Sequence, residues 1–231
     1  MKKSIKTIIG LGLALGLSVA SLAGCNNNGG SAPVSSSAPQ VKTVKANDYV
    51  SAVFKGILTG DASEAKLCGL DDASATQLEE ANKQLDKVKD GVIAGVGSKY
   101  KEYIEAEPLE KFATGFKTAV AKLPFTVETL SDSGDEAEVA VKVKPISIKD
   151  YATDAAQEAL ATVDQSKMND PSVLKSYFST YFNTLAQKLE ANAKPGAEKT
   201  VKIKLKKTGD TWEFTTPSSA MRSLANSIVT A

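Results

Sequence analysis

Residues 199–215 read "KTVKIKLKKTGDTWEFT". Side chains of an extended strand alternate between two faces, so Val201, Ile203 and Leu205 fall on one side and Lys202, Lys204 and Lys206 on the other. Thr208-Gly209-Asp210 carries turn chemistry, and Trp212 and Phe214 resume the apolar spacing. The stretch predicts an antiparallel hairpin with one buried face and one lysine face. Upstream, "FTVETL" (125–130) and "EAEVAVKVK" (136–144) alternate in the same way and are joined by "SDSGD", a second hairpin signal.

The remaining segments follow a helical period. "NDYVSAVFKGIL" (47–58) places Tyr49, Val50, Val53, Phe54, Ile57 and Leu58 on one side, with Asn47 as the expected cap and "TGD" as the stop. A short turn is expected over 62–68. From Ser74, with Gln77 completing a capping box, Leu78, Ala81, Leu85, Val88, Val92 and Val96 form a stripe. Pro108 is expected to open a helix burying Leu109, Phe112, Phe116 and Val120. Helices about 151–163 and 171–193 separate the hairpins, and "SAMRSLANSIV" closes the chain. Two hairpins set among helices predict an α+β domain, with several amphipathic helices on one face of an antiparallel sheet of about four strands. The segment "KKTGDTWEF" resembles the closing hairpin of cystatin-like and nuclear-transport-factor-like domains. The order of elements over 43–231 is similar to a family of uncharacterised lipoproteins of Gram-positive bacteria. That resemblance implies a cystatin-like fold and no particular chemistry.

The amino terminus has its own logic. Lys2, Lys3 and Lys6 precede an apolar run ending in small residues, the layout of a secretory signal peptide over 1–24. Leu22-Ala23-Gly24-Cys25 resembles the lipobox of bacterial lipoproteins, which implies cleavage before Cys25 and a diacylglycerol on its sulfur. Residues 25–42 then form a lipidated cysteine and a tether rich in Ser, Asn, Gly and Pro, with an end-to-end distance of roughly 20–25 Å. The expectation is one extracytoplasmic domain, 43–231, held at the cell membrane through the lipid on Cys25.

Composition narrows the function classes. Taking the three leading lysines from 28 basic residues leaves 25 against 27 acidic ones, a net −2. Such balance argues against nucleic acid. The chain has no histidine, which removes the commonest general base and metal ligand together, and no cofactor or metal is expected. With Cys25 lipidated, Cys68 has no partner in the chain and reads as a buried, inert thiol. "GVIAGVGSK" lacks the glycine and lysine spacing of a phosphate loop, and "DSGDEAE" lacks that of a calcium loop.

Two constellations remain. Ser63-x-x-Lys66, Tyr181-x-Asn183 and Lys207-Thr208-Gly209 resemble, in order, the motifs of penicillin-recognising serine enzymes. "DASEAKLCGLDD" leaves barely two helical turns for the serine, and the Lys-Thr-Gly already has a hairpin to make. The second is the lysine face: Lys142, Lys144, Lys202, Lys204 and Lys206 would share a side if their strands pair. They could meet anionic cell-wall polymer, lipid headgroups or another envelope protein, or simply solvate the sheet. The sequence is therefore read as a non-catalytic, membrane-anchored binding module. The alternatives are a cell-envelope serine hydrolase or acyltransferase using Ser63 and Lys66, and a solute-binding component of a transporter.

Overall fold

The computed structural model describes residues 44–96, 99–191 and 195–230; the expected signal segment, Cys25 and its tether lie outside the described residues. Helix α1 (Ala46–Thr59) buries the six apolar residues expected of it. It starts before Asn47, with Lys45 at the N-cap and no side-chain cap bond. It stops at Gly60, whose φ of 77° lets its N–H bond the carbonyl of Gly56, a left-handed ending that glycine adopts at little cost.

After α2 (Ser63–Leu67), α3 (Asp72–Lys83) begins earlier than the Ser74 capping box suggested. Asp71 is the cap: its carboxylate accepts from the Ser74 amide and the Ser74 hydroxyl, each at 2.8 Å, which places Ser74 inside the first turn. A 3-10 turn (Gln84–Lys87) separates α3 from α4 (Val88–Val96), yet Leu78, Leu85, Val88 and Val92 of the expected stripe are all buried. A 3-10 turn over Lys101–Tyr103 precedes α5 (Ala106–Ala121), where Pro108 sits in the first turn rather than opening it.

Strands β1 (Phe125–Asp132) and β2 (Glu136–Val143) form the first hairpin. Next come β3 (Ile146–Ser147), α6 (Ile148–Ala161) and α7 (Pro171–Ala191). The second hairpin is β4 (Lys199–Thr208) and β5 (Thr211–Phe214), turned at Gly209 with φ 64°. The chain ends in α8 (Pro217–Asn226) and β6 (Val229–Thr230). β3 and β6 form a two-residue parallel ladder, too short to leave any periodic trace in the sequence.

The main sheet has the order β1-β2-β4-β5 and is antiparallel throughout, so the expected α+β fold with an open four-stranded sheet is the one observed. Ala137 pairs with Leu205, Val139 with Ile203 and Val141 with Val201, which sets the apolar positions of the two central strands side by side. Trp212 and Phe214 extend that face. α1 lies against β1 and β2, and α8 against β4 and β5. The ring of Phe54 meets Phe125 edge-on at 4.9 Å, and Tyr49 meets Phe214 at 5.5 Å. α7 packs between α5 and α6 as the centre of a helical layer, with Phe112 and Phe182 5.9 Å apart.

Candidate functional site

The opposite face of the sheet carries the candidate site. On the central pair, Glu136 lies across from Lys206, Glu138 from Lys204, Ala140 from Lys202 and Lys142 from Thr200. The flanking strands add Glu128, one pair along from Lys142, and Glu213, directly across from Lys206. Lys142 bonds Glu128 at 2.6 Å, and Lys206 approaches Glu213 at 3.8 Å. Hydrogen bonding to Glu128 pushes the Lys142 ammonium above its ordinary pKa. Ala140 is buried although it stands outside the core cluster, flanked across the strands by Glu128 and Lys202.

The expected lysine row is therefore distributed in a particular way. Lys142, Lys202, Lys204 and Lys206 do share one face, but glutamates stand among them and the face is close to neutral. Among the described residues, Lys144, Lys202 and Lys204 have no carboxylate within ion-pair distance. Lys144 continues the alternation one step beyond β2, its amide donating to the carbonyl of Pro124 at 3.4 Å. Glu128, Glu136, Glu138 and Glu213 were not singled out in the sequence. "EAEVAVKVK" showed two of them on the lysine side of β2, but only the strand order brings Glu128 and Glu213 to the same surface.

The serine constellation is arranged otherwise. Ser63 donates its hydroxyl to Asp61 at 2.6 Å and its amide to the same oxygen at 2.9 Å, a helix-start motif. The Lys66 ammonium pairs with Asp72 at 2.8 Å rather than with Ser63. Tyr181 and Asn183 sit on α7, within the helical layer, while Lys207 and Thr208 end β4, paired with Trp212 and Thr211, and Gly209 begins the turn to β5. Cys68 is half-buried, not buried as expected: it caps the end of α2 at the rim of the core rather than inside it; burial, then Asp48 and Glu64, raise its thiol pKa. Asp132 of the acidic turn accepts from the Gly134 amide at 2.9 Å, so it shapes the hairpin. Among the described residues, no group of three or more Cys, Asp or Glu side chains is placed to hold a metal ion.

Residues 65–229 match the family described as "Domain of unknown function (DUF5105)", and the chain belongs to that family. A crystal structure of a "putative lipoprotein (ycdA)" from Bacillus subtilis is similar at 22% identity with a TM-score of 0.45. The likeness covers 80% of this chain and 56% of that one, so the chain spans little more than half of its neighbour. No curated protein matches.

Proposed function

We propose that this chain is an extracytoplasmic lipoprotein, anchored by lipid on Cys25, whose cystatin-like domain is a non-catalytic interaction module. The observation that carries the reading is the open, mixed-charge outer face of the sheet. Among the described residues the helices pack on the other side, and the exposed side sets lysines across from glutamates around a single buried alanine. A near-neutral face of interspersed charges gives register and selectivity against a protein surface of complementary pattern. Its glutamates would oppose a polyanion, so another envelope protein is favoured over wall polymer. The engagement of Ser63 with Asp61 and of Lys66 with Asp72 supports the non-catalytic side of the proposal.

Replacing Cys25→Ala tests the anchor: release of the protein, or accumulation of an uncleaved form, is expected, whereas a matured and still membrane-bound variant overturns it. For the face, a photo-crosslinker at Lys202 in intact cells should yield a discrete protein adduct that the same probe at Lys149 on α6 does not. Salt-sensitive binding to anionic vesicles or wall polymer, lost when Lys202 and Lys204 become Ala, would instead return the anion-binding reading.

A further inference from the structure

Among the described residues, no strand pairs with the outer edge of β1. In an antiparallel ladder, residues alternate between bonding one neighbour and bonding the other. The Lys207 amide donates to Asp135 at 2.7 Å and the Lys144 amide to Pro124, which sets the phase: odd residues of β2 bond β4, and even ones bond β1. Thr126 and Glu128 therefore spend their backbone groups on Lys142 and Ala140. Phe125, Val127 and Thr129 turn their N–H and C=O groups to the free edge. Among the described residues nothing bonds those groups.

Free edges are usually guarded, and the far side of this sheet is. β5 has four residues, and Trp212 within it donates its indole N–H to the carbonyl of Val44 at 2.9 Å, fastening the start of the domain beside it. β1 has eight residues and no proline, and its one charged side chain before the bulge at Thr129/Ser131, Glu128, is already paired with Lys142. Leu130, the residue inserted by that bulge, is 47% exposed; among the described residues only Leu67 is the other large apolar side chain so placed.

We infer that β1 pairs with β1 of a second copy of this chain, antiparallel and two-fold about Val127. Self-complementarity selects this occupant. The register sets Phe125 against Thr129 of the second copy and Val127 against its own equivalent, so every free backbone group finds a partner. Glu128 meets Thr126 across the axis, so no carboxylates are opposed, and Leu130 falls against Pro124. The operator keeps both helical layers on one side and joins the two charged faces into one eight-stranded surface. The bulge limits the pairing to this stretch, and the guarded β5 edge stops further growth, so the assembly closes as a dimer.

The test uses the full-length chain recovered from bacterial cells, in whichever fraction it partitions, so its outcome is independent of the Cys25 anchor. The double variant Thr126→Cys with Glu128→Cys, in a Cys25→Ala, Cys68→Ser background that leaves no native thiol, should give an oxidant-dependent covalent dimer, because these positions face one another as a non-hydrogen-bonded pair. Either single variant should not. By sedimentation, Thr129→Pro removes an outward N–H without touching the β2 ladder, and Leu130→Lys removes the apolar contact. Each should weaken association at least about tenfold, whereas Leu67→Lys should not. A monomeric wild type, a dimer indifferent to Thr129→Pro and Leu130→Lys, or a different protein crosslinked at this edge would each overturn the inference.

Discussion

Trp212 closes the core face of β5 and, through its indole N–H, holds the carbonyl of Val44 where the described domain begins. Trp212→Phe keeps most of the apolar contact and strands that carbonyl; a loss of about 1–2 kcal/mol in denaturant unfolding is expected. Asp71 acts at the same scale. The Ser74 amide and hydroxyl hold its carboxyl below the ordinary aspartate pKa, with amides of the first helical turn adding to the effect. Asp71→Ala should cost about 1 kcal/mol near neutrality. Because the folded pKa is the lower one, this stabilisation is complete above the unfolded pKa and is lost as pH falls through the folded value. The gap between wild type and Asp71→Ala measured by urea unfolding should accordingly close in acid, and a gap that persists at low pH would show that the carboxylate is not the source.

Among the elements, β4 separates two kinds of position within one strand. Leu205 is buried against Ala137 and Phe214, while Lys204 projects from the outer face with no ion-pair partner among the described residues. Leu205→Ala should lose about 2–5 kcal/mol and Lys204→Ala stay within about 0.5 kcal/mol, as read from urea midpoints. The α5–α7 contact depends on a glycine for a different reason. A Cβ on Gly115 would lie 2.9 Å from the Ala186 carbonyl oxygen and 3.1 Å from its Cα, so the backbones approach too closely for a side chain. Gly115→Ala gains about 1 kcal/mol of helix propensity but forces the helices apart. A net destabilisation is expected, and a raised thermal midpoint would show that α7 shifts freely. Neither effect needs a ligand or partner.

For the whole molecule, the arrangement of apolar periods was legible wherever an element has one. Alternation in "KTVKIKLKKTGDTWEFT" marked the buried and exposed faces of β4 and β5, and the 3.6-residue period marked α1, α5 and α7. These readings hold because each strand or helix must hide one face, and the spacing of that face is written locally. Where two local signals competed, the sequence misled. Ser74-x-x-Gln77 fits a capping box, but Asp71 lies three residues before Ser74 and takes its amide first. The two-residue ladder of β3 with β6 left no pattern, since it joins residues far apart in the chain.

The charged face divides along the same line. That the lysines leave the core follows from alternation alone. That glutamates stand across from them, and that among the described residues Lys142 and Lys206 are paired while Lys202 and Lys204 are not and the outer edge of β1 has no partner strand, all depend on strand order and register. Register is decided by packing of both hairpins against α1 and α8, a property of the assembled layers that no segment carries by itself. By itself the sequence determined the α+β class and the faces of its elements. Only the tertiary structure decided which charges meet and which backbone groups remain unpaired, because those depend on distances between strands that are remote in the chain.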